Sequence, residues 1–214
     1  MGKIEQIKEA IEKAIKRESK LTKEALEVPS LTSLNIRHLY NNLGAISEVF
    51  CEVGSHRGGS YTSFVTNNRN LMSAAAIDNF SEDFNTGDIK GELIENMDKY
   101  TPVETAHQLI DKNSFEVTID DFAIRNKIDL YLYDGNHSEE SQYKGLMYFL
   151  PFLADTFIFV VDDYSWDDVR NGTQRAIKDS GVEVLFEQAF YTPQGEPENE
   201  HWHNGTYLAL LKQK

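Results

Sequence analysis

ISEVFCEVGSHRGGS, residues 46–60, joins an apolar, β-branched run to a cluster of glycines. Ile46, Val49, Phe50 and Val53 carry the strand pattern, with the carboxylate of Glu52 set among them. Gly54, Gly58 and Gly59 end it, and Ser60 opens a helical pattern through Tyr61, Phe64 and Val65. A strand, a glycine turn and a helix in succession present backbone N–H groups to a ligand at the carboxyl edge of an open sheet. The glycines matter because a residue without Cβ takes positive φ freely and lets a ligand lie against the main chain. The stretch therefore predicts a nucleotide-like cofactor.

Downstream, apolar runs recur. Leu71–Ile77 ends in Asp78, about 20 positions after the glycine turn, the spacing at which a carboxylate reaches ribose hydroxyls in a βαβ unit. Ala106–Ile110 reads as a third strand, and Asp111-Lys112-Asn113-Ser114 as its exit loop. Ile128–Tyr133 (IDLYLY) delivers Asp134-Gly135-Asn136-His137. Thr156–Val161 (TFIFVV), apolar enough for a central parallel strand, delivers Asp162-Asp163-Tyr164. Between them, helices are expected over 81–100, over Phe115–Ile124, from a Ser138 cap to about Pro151, and over 166–180 before Gly181. Val182–Phe190 and Thr206–Leu211 close the chain, joined by a polar loop with Pro193, Pro197, His201, Trp202 and His203. Alternating strands and helices imply a largely parallel sheet.

Ahead of this body, Ile4, Ile7, Ile11, Ala14 and Ile15 predict an amphipathic helix over 3–20 that covers the domain or a dimer partner. Pro29 and the Ser/Thr/Asn-rich residues to Asn42 read as a connection with a short helix around Ile36–Asn41. Residues 1–45 are thus an N-terminal helical extension or cap, and residues 46–214 the cofactor-binding domain.

The 214 residues carry a net charge of −14, with the acid excess outside the evenly mixed first 28 residues. Such a field repels phosphate backbones and anionic lipid, which argues against nucleic acid or membrane as partners. One cysteine, Cys51, sits inside the first strand, so no disulfide framework or thiolate zinc site arises within one chain. The beginning of the chain lacks the apolar core of a signal peptide. Together these features point to a reducing, cytoplasmic setting.

Glu52, Asp78, Asp134 and the Asp162-Asp163 pair all fall at strand ends, and hence on one rim. Glu52 and Asp78 flank the glycine turn and suit a cofactor with a ribose. Asp134, Asp162 and Asp163 come from neighbouring strands, and three close carboxylates repel unless a cation balances them. Hard oxygen donors select Mg²⁺, Mn²⁺ or Ca²⁺ over zinc. The competing account of Asp162-Asp163 is a helix-capping turn.

These residues resemble the class I S-adenosylmethionine-dependent methyltransferases. Within that class the chain is most similar to the Mg²⁺-dependent O-methyltransferases of the macrocin and mycinamicin sugar-methylating group, and more distantly to catechol O-methyltransferase. Glu52-Val53-Gly54-Ser55-His56-Arg57-Gly58-Gly59-Ser60 matches the motif that cradles the methionine part of the cofactor, through Glu52, Gly54, Ser55, Gly58 and Ser60. Asp78 matches the acid that holds the ribose, and Asn113-Ser114 falls at the adenine-side loop. Asp134, Asp162 and Asp163 match the metal ligands, Asp134 also bordering the cofactor. His137 falls where the general base stands. The resemblance implies an α/β, Rossmann-like methyltransferase fold: a mostly parallel seven-stranded sheet, helices on both faces and a C-terminal antiparallel hairpin. His56 and Arg57 are bulkier than the turn usually carries, and residues 1–45 match nothing transferable.

The implied reaction moves the sulfonium methyl of S-adenosylmethionine to a hydroxyl of a small molecule or sugar. Mg²⁺ would orient and acidify the hydroxyl, and His137 would take its proton. His137 could equally shape the loop only. Trp166, Tyr164 and His201-Trp202-His203 either line the acceptor pocket or belong to plain structure. Gly54-x-x-x-Gly58 is not the Gly-x-Gly-x-x-Gly of a nicotinamide dehydrogenase, and Gly58-Gly59-Ser60 lacks the lysine of a phosphate-binding loop. A metal-independent methyltransferase and a non-catalytic cofactor-binding protein remain as alternatives.

Overall fold

Short apolar strands whose alternate residues face opposite sides set the architecture. The computed structural model describes residues 1–81, 87–123, 126–193 and 201–214. Strands β1 (Val49–Val53), β2 (Ser73–Ile77), β3 (Ala106–Ile110), β4 (Ile128–Tyr133), β5 (Leu153–Val161), β6 (Glu183–Phe190) and β7 (Thr206–Lys212) form one sheet in the order β3-β2-β1-β4-β5-β7-β6. Strands β1 to β5 are parallel, and β7 runs antiparallel to both β5 and β6. The chain winds outward from β1 through β2 to β3, then restarts beside β1 with β4. That reversal opens a crevice between the carboxyl ends of β1 and β4, the place where open α/β sheets bind ligands.

The strand period of two divides the core. Phe50, Leu130, Leu132, Ile158 and Val160 pack under α1 (Lys3–Ile15), α3 (Leu34–Gly44), α4 (Gly59–Val65) and α5 (Ile89–Tyr100). Cys51, Val53, Tyr131, Tyr133, Phe159 and Val161 face α6 (Glu139–Phe149) and α7 (Asp167–Ser180). Both faces are covered, so β1 and β2 are buried along their whole length. Among the described residues no helix is long and apolar enough to cross a membrane.

Several elements differ from the sequence expectation. The helix expected over 3–20 ends at Ile15, and Arg17 turns with φ 57°. The Asn-rich stretch is a helix of 11 residues, buried from Asn35 to Gly44. Its asparagines make this possible: Asn41 Nδ2 donates to the Ser63 and Thr66 carbonyls, and Asn42 Nδ2 to those of Ala10 and Glu18. A four-residue helix, α2 (Lys23–Leu26), precedes it. Instead of a helix over Phe115–Ile124 there are two 3₁₀ turns, Ser114–Glu116 and Ile119–Asp121. Asn113 Oδ1 takes the Phe115 N–H and Asp121 Oδ2 the Thr118 N–H, and such local bonds compete with helix formation. Helix α5 starts at Ile89, where Asp88 caps it by accepting from Gly91 N–H. Residues 82–86 of the helix expected there, Ile124, and Pro197 of the hairpin loop lie outside the described residues.

Candidate active site

The exits of β1 and β4 press against each other. Gly54 leaves β1 at φ 88°, its N–H bonded to the Ile77 carbonyl at 2.9 Å, and a Cβ there would run into the Asp134 carbonyl. Only glycine fits both constraints. The turn closes through Gly58 N–H to the Ser55 carbonyl at 2.7 Å. Asp78, at the end of β2, reaches across it. One carboxylate oxygen accepts the His56 N–H at 2.8 Å and the other the Phe80 N–H at 2.7 Å. Each oxygen keeps a further lone pair.

Glu52 lies behind this turn, with no exposure. Burial pushes its carboxyl up to about 8, with the nearby Ser55 and Ser60 hydroxyls drawing it down. Both Glu52 carboxylate oxygens and Ser55 Oγ lack a hydrogen-bond partner of good geometry among the described residues. Orphaned buried acceptors beside a donor are what a polar ligand or ordered water satisfies.

In front of the turn opens a cavity of about 1230 Å³, ample for a nucleoside and a second reactant. Gly54, His56 and Asp78 edge one side, with Asn113, Ser114 and Phe115 next to them. Asp134, which abuts Gly54, also lines the cavity, as do His137, Asp162, Asp163, Trp166, His203 and Asn204. Of the residues singled out from the sequence, Glu52, Ser55, Gly58 and Ser60 do not line the cavity. They build the turn from behind.

Within this lining, Asp134, His137 and Asp163 each bring a ligand atom within 4.8 Å of the others'. His137 Nε2 is 3.0 Å from Asp163 Oδ2 and 3.5 Å from Asp134 Oδ1. Burial opposes the charge on this imidazole, yet the two carboxylates raise it to about 10. Burial also drives the Asp134 carboxyl up to about 6, with Asp163 adding to the rise and His137 opposing it. For Asp163 burial is outweighed by His137 and the Asn204 side chain, and its carboxyl stays below the usual range. Asp163 takes φ 54°, and so turns away from the strand direction that Asp162 continues. Asp162 is therefore outside the three-residue group: it is buried, accepts from Thr206 Oγ1 at 3.4 Å, and is raised well above normal by burial and by Asp134 and Asp163. The donors that could hold a hard divalent cation are the Asp134 and Asp163 carboxylates, with the His137 imidazole beside them and Asp162 behind.

A methyltransferase-domain model matches residues 51–164, more than half of the 214. The chain belongs to that family. It is an S-adenosylmethionine-dependent methyltransferase. No curated protein matches the chain. Among solved structures the methyltransferase is similar to an O-methyltransferase from Bacillus cereus in complex with SAH, at 11% identity and TM-score 0.57, covering 99% of this chain and 93% of that one. A Staphylococcus aureus protein provisionally classed as a caffeoyl-CoA O-methyltransferase aligns at 13% identity and TM-score 0.59, covering 88% of each chain. Precorrin-6y C5,15-methyltransferase from Geobacter metallireducens aligns at 15% identity and TM-score 0.58, covering 91% of this chain and 97% of that one. At such identities the shared property is the Rossmann-like methyltransferase fold.

The methyltransferase also sorts the ambiguous aromatics. Trp166 lines the cavity and meets the His137 ring edge-on, with centroids 5.0 Å apart. Trp202 does not line it but stacks on Phe190 at 4.3 Å, and Tyr164 is buried with its hydroxyl paired to Gln174 Nε2. Sequence reasoning missed Leu31 and Asn204, which line the cavity from segments read as loops. Neither carries a sequence signal that would have marked it.

Proposed function

We propose that this methyltransferase moves a methyl group from S-adenosylmethionine to a hydroxyl of a small molecule or sugar, with Mg²⁺ held by Asp134 and Asp163 and His137 acting as the base. The observation that carries this reading is the convergence of Asp134, His137 and Asp163 on one wall of the cofactor cavity. A bound divalent cation would supply Lewis acidity toward the acceptor hydroxyl and neutralise the carboxylate charge that keeps His137 protonated. Asp134 and Asp163 both approach the same imidazole nitrogen, Nε2, and so fix the ring in the lining of the cavity. Trp166, packed against the same ring, offers an exposed indole for a sugar or aromatic acceptor to lie on. With a single buried cysteine and an acidic surface, the enzyme is best placed in the cytoplasm, without nucleic acid or membrane partners.

Calorimetric titration of S-adenosylhomocysteine and, separately, of Mg²⁺ tests the reading. It requires nucleoside binding together with an Mg²⁺ site that Asp163→Ala abolishes. Nucleoside binding with no metal site would instead favour a metal-independent methyltransferase, in which the His137 imidazolium itself balances the two carboxylates. Absence of nucleoside binding would sink the site assignment.

A further inference from the structure

Arg37, on α3, is 3% exposed. Among the described residues its partners are carbonyl and hydroxyl oxygens and no carboxylate. Nη2 donates to the Ala25 carbonyl at 2.7 Å, and Nη1 to those of Leu26 and Val28 at 2.9 and 3.2 Å. Nε donates to Ser63 Oγ at 2.9 Å, and Nη2 also reaches the Gly59 carbonyl at 3.4 Å. One guanidinium thus ties the end of α2 to the first turn of α4. Burial lowers its pKa only to about 10, so it stays charged at neutral pH. A buried cation without a counter-charge is a poor way to gain stability, and an apolar side chain would serve better. What the guanidinium uniquely supplies is five donors in a fixed plane.

The segment it holds lies on the cofactor turn. A Cβ on Gly59 would come within 2.5 Å of Ser30 Cβ and 2.6 Å of the Pro29 carbonyl. The next residue, Leu31, lines the cavity although it is 67% exposed. At the far end Ser33 Oγ donates to the His201 carbonyl, in the loop that brings His203 and Asn204 to the cavity. Residues 25–33 therefore run from the glycine turn at one end of the site to the hairpin loop at the other.

We propose that residues 25–33 are a strap that braces the glycine turn in its binding shape, and that Arg37 is the positioning residue that sets this strap for cofactor binding. The inference rests on the cavity being the S-adenosylmethionine site. Preorganising a loop strengthens binding by removing the cost of ordering it. Loss of the brace therefore weakens cofactor affinity beyond any general loss of stability.

The test is calorimetric titration of S-adenosylhomocysteine into the full chain and its variants, well below their melting temperatures. Arg37→Met should weaken binding by about tenfold or more. Asn42→Ala serves as control, because it removes a buried polar group from the same helix but bonds only the Ala10 and Glu18 carbonyls. It should lower the melting temperature while leaving affinity within about threefold. If Arg37→Met binds like the wild type, or if Asn42→Ala weakens binding equally, the strap is overturned. Should Arg37→Met fail to fold, hydrogen exchange on the wild type decides. S-adenosylhomocysteine should protect the amides of 25–33 together with those of 55–62, and protection of 55–62 alone overturns the proposal. A wild type that binds no S-adenosylhomocysteine overturns the site reading first, and the strap with it.

Discussion

His137 reaches from the turn after β4 to within 3.0 Å of Asp163, at the end of β5. Two neighbouring strand ends are thereby joined by one imidazole, whose ring is steadied on its other side by Trp166. His137 lines the cavity, and among the described residues its side chain makes no contact that holds the glycine turn. His137→Gln is accordingly expected to lower kcat by about 10²–10⁴, the usual contribution of a positioned acid or base. Affinity for S-adenosylhomocysteine should change little. Steady-state kinetics beside a binding titration separates the two, and a parallel loss of affinity would show a merely structural role.

Gly54 and Gly181 both take positive φ, at 88° and 69°, yet they answer differently to a methyl group. At Gly181 nothing lies within 4 Å of an added Cβ, so Gly181→Ala costs backbone strain alone, about 1 kcal/mol. At Gly54 the Cβ would strike the Asp134 carbonyl, so β1 and β4 must separate at the site itself. Gly54→Ala should therefore destabilise by about 3 kcal/mol or more, strain and overpacking together. Urea denaturation of both variants checks the contrast.

The fold was legible in the sequence because its strands are short apolar runs whose ends carry glycines or acids. Phe50 and Cys51 face opposite cores as a period of two demands, and the seven expected strands are the seven observed. The strand-end acids Asp78, Asp134, Asp162 and Asp163 reach one cavity because parallel strands share a carboxyl edge. What sequence could not give was side-chain direction beyond the strand ends. The left-handed turn at Asp163 swings its carboxylate to His137 and leaves Asp162 behind, and nothing in Asp162-Asp163-Tyr164 marks which residue turns. The N-terminal segment was harder still. Arg37 and Asn41 carry no mark of burial in a stretch read as a connection, and the carbonyls that satisfy them come from other segments of the chain.

Asp78 holds the turn, and in the proposed cofactor site the same carboxylate would also take the ribose. Its two oxygens accept the His56 and Phe80 N–H groups, and any cofactor hydroxyl must share the remaining lone pairs. Asp78→Asn keeps the size but replaces one acceptor with a donor that faces an N–H. Affinity for S-adenosylhomocysteine should fall by about tenfold to a hundredfold, the worth of one or two hydrogen bonds to a charged group. Adenine alone, which has no ribose, should lose much less. A titration of both ligands against both proteins gives the answer.

Glu52 should leave a signature in the pH dependence of stability. Its carboxyl titrates at about 8 in the folded chain against an ordinary value of 4.5, because burial disfavours the charge. The folded state therefore holds this proton more tightly than the unfolded chain. Below pH 4.5 both states are protonated and the fold is not penalised. Between 4.5 and 8 the unfolded chain loses the proton first, and stability declines steadily until the folded carboxyl also ionises. The loss amounts to a few kcal/mol, at about 1.4 kcal/mol per unit of displacement. Glu52→Gln has nothing to ionise, so denaturation midpoints of the variant should fall less steeply than those of the wild type between pH 5 and about 8. Asp162 titrates in both proteins and largely cancels, while Asp134, whose charge helps to raise Glu52, leaves only its coupling to Glu52 in the difference. Equal slopes would mean that Glu52 finds a partner in solution, and that its carboxylate is charged when the cofactor arrives.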